Sequence, residues 1–296
     1  MGEDEERRRE LGGFLRTRRQ ELVRAGFDLP PVGRSRLTGL RREEIAYRAG
    51  VSVTWYTWLE QGRKINPSRQ VLNSVARTMR LSAAEHDYVL SLAGYAPHQP
   101  HEVTPAAVPA HIQRLLDAQG HSPAFAVSPG WAIAGWNLAY QALYPNVATV
   151  AAEDRNLLLL IFTDPSVRRM LPDWDATSRH FLAEYRAETG PLLGHAAHAA
   201  LIARLLDESP EFARAWVQHR VERFSSRERR FHHADVGELA FEHHRLTPSD
   251  VPDMHVVVYV PLRDTDTAAR MRRLLAAPGS DGITQVFDVE GCRLRP

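Results

Sequence analysis

Two short apolar patterns meet at a glycine within residues 41–61, and this junction restricts the fold more than any other part of the chain. Gly50 tolerates the positive φ that a sharp turn between two helices requires. Around such a turn each helix must bury residues at fixed offsets, with a small residue where the helices touch. The positions that fit are Ile45, Ala46, Ala49, Gly50, Val51, Tyr56 and Leu59. The sequence therefore predicts a helix-turn-helix in which Tyr56 and Leu59 pack against Ile45.

The second helix of this motif presents other side chains on its outward face. At 100° per residue, that face carries Ser52, Val53, Thr54, Thr57, Trp58 and Gln61. In a helix-turn-helix this face enters the major groove of duplex DNA, where methyl groups contact thymine and hydroxyls reach base edges or phosphates. The residues of this helix predicted to contact DNA are Ser52, Val53, Thr54, Trp55, Thr57 and Trp58. For the two tryptophans a second interpretation stays open, in which they cover the flank of the domain or a dimer seam.

Basic residues are concentrated in the first part of the chain. Residues 7–80 contain 17 Lys or Arg and 6 Asp or Glu, whereas residues 96–296 contain 20 and 24. A basic block joined to a mildly acidic one indicates a polyanion-binding module attached to a second unit, although a solvated charged face gives the same count. The cations placed to contact phosphates are Arg34, Arg36, Arg41, Arg42, Arg63 and Lys64. Such contacts supply salt-dependent affinity rather than sequence choice.

Helical spacing and end signals predict five helices before residue 95. They are expected at 5–25, 41–49 and 52–61, then a fourth with Pro67 in its first turn and a fifth opened by a capping box of Ser82 and Glu85. Four prolines within residues 95–109 indicate a linker. We therefore predict an all-helical DNA-binding domain over residues 1–95, a linker over 96–108 and a second domain over 109–296.

After the linker, short strands and helices are mixed. Strands are expected around the Pro-Gly turn of residues 123–135, over 237–246 and over 254–262. Helices are expected at 136–143, 153–162, 175–188, 195–207, 210–220 and 267–277. Strands, then helices, then strands again predict an α+β domain with an antiparallel sheet.

Seven segments between residues 39 and 262 carry a family resemblance that covers the chain from about residue 10 to residue 275. They are GLRREEIAYRAGVSVTWYTWLEQGRKINPS, VLNSVARTMRLSAAEHDYVLSLAG, WAIAGWNLAYQAL, RNLLLLIFTDPSVRRMLPDW, SPEFARAWVQHRV, HHADVGELAFEHHRL and MHVVVYVPL. They resemble the Xre-type helix-turn-helix and the C-terminal half of the actinobacterial MmyB-like transcription regulators. The resemblance implies DNA-binding regulation with a C-terminal PAS-like sensor domain. Thr54 and Trp58 stand where the family would have an acidic residue and an arginine, so the operator sequence is left open.

The resemblance also implies a small apolar ligand, fatty-acid-like in character, inside the PAS-like domain. The residues expected to line its cavity are Phe125, Trp131, Trp136, Tyr140, Leu158, Phe162, Phe181, Trp216, Phe241 and Tyr259. Each of them is also what an ordinary hydrophobic core contains, and the residues alone leave both interpretations open. For a polar end of the ligand, Arg155, Arg168, His219 and Arg220 are candidates between which the sequence does not choose.

Other classes of function receive little support. The single cysteine, Cys292, excludes an internal disulfide framework and thiolate metal clusters. The histidine pairs at 232–233 and 243–244 lie on expected strands and offer one ligand each to a face, so we expect no metal and no cofactor. No GxSxG, HExxH or Walker pattern indicates an enzyme. A charged N-terminus and short apolar runs predict a cytoplasmic protein without a membrane partner.

These patterns predict a sequence-specific DNA-binding transcription regulator that acts as a homodimer and senses a ligand through its second domain. One short recognition helix reads few base pairs, so two half-sites about 34 Å apart in an inverted repeat would add specificity. The alternative is a protein interaction module. In that case Trp55 and Trp58 dock a protein partner, and the C-terminal domain dimerises without sensing.

Overall fold

The computed structural model describes residues 2–27, 29, 39–95 and 107–276. Up to residue 95, the described residues form five helices: α1 Glu3–Glu21, α2 Arg42–Ala49, α3 Val53–Glu60, α4 Arg69–Thr78 and α5 Ala83–Leu92. The inward faces of these helices share one hydrophobic core, which includes Phe14, Leu15, Leu72, Val75 and Tyr88.

The helix-turn-helix predicted around Gly50 is present. Gly50 ends α2 in the left-handed conformation, with φ 73° and ψ 31°. The side chain of Ser52 then accepts a hydrogen bond from the Trp55 N–H, which starts α3. The predicted core residues Ile45, Ala46, Ala49, Tyr56 and Leu59 are all buried. Tyr56 is 0% exposed, so the predicted burial of Tyr56 in the core of the motif is confirmed.

The fourth helix begins later than the sequence predicts. The Ser68 side chain accepts a hydrogen bond from the Val71 N–H at 3.3 Å, so the helix begins at Arg69 and Pro67 lies before the cap. Proline sets φ but offers no side-chain acceptor, and the serine hydroxyl therefore decides where the helix starts. The capping box predicted for α5 is confirmed in both directions.

From residue 107 onwards, the described chain is an α+β unit. Its helices are α6 Ala110–Asp117, α7 Leu138–Leu143, α8 Leu157–Thr163, α9 Pro165–Met170, α10 Trp174–Thr189, α11 Ala196–Glu208, α12 Pro210–Trp216 and α13 Thr267–Leu275. Its strands are β1 Ala124–Val127, β2 Ile133–Trp136, β3 Arg227–His233, β4 Gly237–Leu246 and β5 His255–Pro261.

The strands form one antiparallel sheet in the order β2-β1-β5-β4-β3. Alternate side chains face opposite sides of a strand, so β1 and β5 contribute to two cores. Phe125, Val257 and Tyr259 belong to the large core shared with α7, α8 and α10. The alternate residues of β1 and β5 face the other side of the sheet, where they pack against Ile112 and Leu116 of α6. An antiparallel sheet with helices packed on it is the PAS-like α+β architecture that the resemblance implies.

Helices α6 and α9 and most of β3 are missing from the sequence prediction. The two helices have eight and six residues, too few for a periodic apolar pattern to stand out. The strand reads RERRFHH, and its buried positions alternate between arginine, phenylalanine and histidine. Because two of those three inward residues are polar, the usual alternation of apolar and polar residues is hidden.

A buried charged cluster joins the helical bundle to the second half. Glu10 on α1 accepts hydrogen bonds from the Tyr88 hydroxyl at 2.9 Å and from Arg186 Nη1 at 2.7 Å, and His219 Nδ1 lies 3.0 Å away. Burial raises the pKa of Glu10, but His219 and Arg186 outweigh burial and lower the pKa to about 2. Arg186 on α10 is 2% exposed. We call Glu10, Tyr88, Arg186 and His219 the Glu10 cluster.

Candidate functional site

The outward face of α3 is accessible to solvent. It consists of Ser52, Val53, Thr54, Thr57 and Trp58, among which Thr57 is half-buried. Val53 is 46% exposed and Trp58 39%, so both apolar side chains are open to contact on this face. Trp55 is half-buried and packs against the helical core. Of the two tryptophans, Trp58 is therefore the one that a docked macromolecule would meet first.

Four of the six cations predicted to contact phosphates lie in the described residues and gather near the C-terminal end of α3. Arg41, Arg63 and Lys64 are exposed. The guanidinium of Arg63 lies 5.9 Å from the centroid of the Trp58 ring, which places it beside the outward face. Arg34 and Arg36 lie outside the described residues.

Arg42 has a structural contact as well as an accessible side chain. Its Nε donates to Glu60 Oε2 at 2.7 Å. The Glu60 carboxylate also accepts from Arg19 Nε at 2.5 Å, and Arg19 Nη1 donates to the Leu40 carbonyl at 2.7 Å. Burial raises the pKa of Glu60, but its hydrogen bonds with Arg19 and Arg42 outweigh that effect and hold the pKa below its ordinary value. This network ties the end of α3 to α1 and α2, and so orients the outward face.

The α+β half contains a small apolar cavity between α7, α8, α9 and the sheet. Its volume is about 40 Å³. It is lined by Tyr140, Leu143, Tyr144, Leu157, Leu160, Ile161, Val167, Met170, Leu171, Phe181, Phe231 and Tyr259. A space of this size holds a few water molecules, whereas sites for drug-sized ligands have about 300–1,000 Å³.

Three of the ten residues expected to line a ligand cavity, Tyr140, Phe181 and Tyr259, border this space. Phe125 lies directly behind Tyr140, with 4.4 Å between the ring centroids. The remaining predicted residues are in the same core or packed against it, namely Trp131, Trp136, Leu158, Phe162, Trp216 and Phe241. All ten predicted residues thus lie in one core or pack against it, and the tertiary packing decides which of their side chains border the cavity.

The polar candidates for a ligand's end lie elsewhere. Arg155 Nε donates to the Val150 carbonyl, Arg168 pairs with Glu211, and His219 belongs to the Glu10 cluster. Arg220 is exposed. None of the four is among the residues that border the described cavity.

Two family models match this chain. A helix-turn-helix domain matches residues 10–89, and the ligand-binding domain of MmyB-like transcription regulators matches residues 108–275. The chain belongs to the MmyB-like transcription regulators. A comparison with curated proteins finds no match.

The two family models assign a different role to each half of the chain. The helix-turn-helix match runs from the middle of α1 into α5, and the ligand-binding match spans α6 to α13 with the whole sheet. This MmyB-like protein is therefore a DNA-binding transcription regulator with a domain for a small-molecule ligand. The two families are those of regulators and not of enzymes.

Residues 2–27, 29, 39–95 and 107–276 of this MmyB-like regulator contain no group of three or more His, Cys, Asp or Glu side chains that could hold a metal ion. In the same residues, no helix has the length and apolar content needed to cross a bilayer.

Arg229, a buried arginine on β3 of this MmyB-like regulator, is not among the site residues predicted from the sequence. Arg229 is 7% exposed and faces the large core, together with Phe231 and His233 on the same strand. The available signal is the alternation within RERRFHH, which puts every second residue from Arg229 on one face. An arginine among inward-facing positions is uncommon, because a buried charge normally needs a partner.

Proposed function

We propose that this regulator binds its operator as a homodimer, with α3 of each protomer in the major groove. Val53, Thr54, Thr57 and Trp58 meet base edges, and Ser52 and Trp55 border the groove. Arg41, Arg42, Arg63 and Lys64 contact phosphates on the flanking strands. The accessible apolar and hydroxyl-bearing face of α3, edged by cations, is the observation that supports this proposal.

A homodimer follows from the size of the recognition element. The third helix has eight residues and a face of about five side chains. Two such helices on neighbouring turns of the duplex, about 34 Å apart, read an inverted repeat and multiply the specificity of one. The pairing would bring the two protomers together through surfaces outside α3.

For the second half we propose that a small apolar molecule binds at the cavity bordered by Tyr140, Phe181 and Tyr259. The cavity must widen to accept it, because 40 Å³ is far below the volume of such a ligand. Widening would move α8, α9 or α10 against the sheet, and α10 also carries Arg186 of the Glu10 cluster. Ligand binding could in this way change how the two halves are held together. The small volume is also the observation that favours the alternative, a dimerisation domain that senses nothing.

The salt dependence of DNA affinity tests the phosphate contacts. We expect the logarithm of the association constant to fall linearly with the logarithm of salt concentration, because each neutralised phosphate releases counterions. Four cations in each of two protomers correspond to a slope of about −7. Fluorescence anisotropy with a labelled duplex of arbitrary sequence measures this slope over a range of KCl concentrations. A slope near zero would favour the protein interaction module instead.

Paired substitutions separate phosphate contacts from base contacts. Lys64→Gln should weaken binding to all duplexes alike and reduce the salt slope by about 1 for each protomer. Thr54→Ala should alter the preference between duplexes, by about 1–3 kcal/mol at the affected base pair. A binding selection from random duplexes followed by anisotropy measures both effects. Arg273→Gln, an exposed charge change on α13, is the matched control.

Lys64 offers a direct check of its own, because it is the single lysine of the chain. Acetylation of the protein with and without DNA, followed by mass spectrometry of the peptides, reports the accessibility of this side chain. DNA should protect Lys64 from the reagent. Equal modification in the complex and in the free protein would show that the phosphate role assigned to Lys64 is wrong.

A further inference from the structure

The helical bundle contains a cleft between the first half of α1 and the turn that follows α3. Its volume is about 400 Å³, which lies within the range of about 300–1,000 Å³ for sites of small organic ligands. Leu11, Leu59 and Leu92 form a buried apolar floor, and Ile65 and Tyr95 are half-buried along its wall. We call this space the α1 cleft. Its size and apolar floor suit a small molecule better than a single ion.

The charged side chains of the α1 cleft are mostly positive. Arg7, Arg8, Arg63 and Asp4 line it, so three positive charges face one negative charge. Asp4 pairs with Arg7, whereas Arg8 and Arg63 take part in no ion pair within the part of the chain that the structure describes. The Arg8 Nε is buried and has no hydrogen-bond partner among the same residues. Proteins normally provide an acceptor for a buried N–H, so an anion from outside the chain fits this position.

The walls of the α1 cleft are held in place by the protein itself. Gly62 has a φ of 65°, and a Cβ at this position would lie 3.0 Å from the Arg8 carbonyl oxygen. The turn after α3 therefore packs directly on the backbone of α1. On the other side, the Tyr95 hydroxyl donates to the Pro67 carbonyl at 3.1 Å, and Arg69 Nη2 donates to the Tyr95 carbonyl at 3.1 Å. A ligand would meet a site that is already formed.

We propose that the α1 cleft binds a small phosphorylated molecule with an aromatic or apolar body, of the size of a mononucleotide. Arg8 and Arg63 bind the phosphate through charge-assisted hydrogen bonds, since a guanidinium matches the geometry of phosphate oxygens. The body of the molecule lies on Tyr95 and Ile65. A phosphate of duplex DNA is the other source of this chemistry. Its bases stay stacked in the helix, however, and bring no apolar group to the floor of the cleft.

Occupation of the α1 cleft would act on the DNA-binding face through Arg63. The Arg63 guanidinium lies 5.9 Å from the centroid of the Trp58 ring, beside the outward face of α3. A ligand that binds Arg63 takes one cation from that face and places negative charge next to it. The ligand and a duplex therefore weaken each other's binding. This consequence rests on the proposed DNA binding, whereas ligand binding in the cleft does not.

Adenosine monophosphate (AMP) and its two parts, adenosine and inorganic phosphate, test the proposal by isothermal titration calorimetry of the full chain without DNA. We expect AMP to bind about 10- to 100-fold more tightly than adenosine, the range of a charge-assisted hydrogen bond. It should also bind more tightly than inorganic phosphate, which leaves the apolar floor empty. Arg8→Gln should remove the preference for AMP over adenosine. Arg16→Gln, an exposed change on the same helix and outside the cleft, is the control and should keep it.

Equal affinities for AMP and adenosine, or a preference that survives in Arg8→Gln, would overturn the proposal. Should Arg8→Gln fail to fold, Arg63→Gln changes an exposed side chain of the same cleft. That variant should bind AMP at least about 10-fold more weakly, and an unchanged AMP affinity would equally overturn the proposal.

Fluorescence anisotropy with a labelled duplex, at constant ionic strength, separates the two sources of phosphate. AMP should weaken duplex binding by the wild-type protein, and adenosine should not. If AMP does not bind and Arg8→Gln weakens duplex binding as Lys64→Gln does, the phosphate in the cleft belongs to DNA and the small-molecule site is wrong. If AMP binds as expected and no duplex binds, the proposed DNA binding fails and the α1 cleft stands.

Discussion

Replacing Arg186 by methionine is expected to lower the free energy of unfolding by about 3–5 kcal/mol, the cost of removing one partner from a buried ion pair. Arg186 is almost fully buried, donates to Glu10 at 2.7 Å and donates to the Trp216 carbonyl at 2.7 Å. Its removal leaves the Glu10 carboxylate buried, with the Tyr88 hydroxyl and His219 as its remaining hydrogen-bond partners. Urea denaturation followed by circular dichroism measures the change.

The control is Arg204→Met, which breaks exposed ion pairs with Asp154 and Glu208. It should cost less than about 1 kcal/mol, because water screens the charges. The double variant Arg186→Met with Glu10→Gln should be less destabilised than the sum of the two single variants. Equal losses for Arg186→Met and Arg204→Met would contradict the assigned role of the Glu10 cluster.

Acid titration gives the Glu10 cluster a second signature. The pKa of Glu10 is depressed to about 2 in the folded chain, from an ordinary value of 4.5. Its contribution to stability is therefore complete above pH 4.5 and is lost as the pH falls towards 2. The stability difference between wild type and Glu10→Gln should shrink over that interval.

Replacing Glu60 by alanine should have an effect of similar size, about 3–5 kcal/mol, on the helical bundle. The Glu60 carboxylate pairs with Arg19 at 2.5 Å, and both side chains are buried. Without Glu60, the Arg19 guanidinium loses its carboxylate partner and keeps its hydrogen bond to the Leu40 carbonyl. The end of α3 also loses Arg42, so DNA affinity should fall together with stability. Thermal denaturation and anisotropy on the same samples measure both.

Glu43→Ala is the matched control for Glu60→Ala. Glu43 lies on α2, is exposed and pairs with Arg41 at 3.3 Å. Its removal should leave stability nearly unchanged, since an exposed ion pair contributes about 0–1 kcal/mol. If Glu60→Ala were as mild as Glu43→Ala, the network could not be what orients α3.

The sequence predicts the helix-turn-helix well because its determinants are local. Gly50, Ser52 and Tyr56 lie within one turn and two short helices, and each acts through its own backbone conformation, cap or helical spacing. The burial of Tyr56 and the left-handed Gly50 agree with the prediction. The roles of Thr54 and Trp58 towards bases remain predictions, since they depend on a partner outside the chain.

For the α+β half, the sequence predicts the class and only some of the element boundaries. The partial alternation of GELAFEHHRL predicts a strand over 237–246, and β4 has these bounds. A helix is predicted over 153–162, whereas α8 begins at Leu157, because the Asn156 side chain accepts from the N–H groups of Leu158 and Leu159. The domain boundaries at 95 and 108 remain predictions.

The residues by themselves determined the all-helical first half, the turn at Gly50 and the α+β class of the second half, because these follow from periodicity, caps and turn residues close together in the chain. Only the tertiary structure decided that Glu10 pairs with Arg186, 176 residues away. It also decided that the Arg229 guanidinium lies over the ring of Phe181, a residue that borders the cavity. The sequence around a charged residue does not indicate its partner, since the partner depends on how distant elements pack. For the same reason, membership of an apolar core could be predicted, but the shape of the space within it could not.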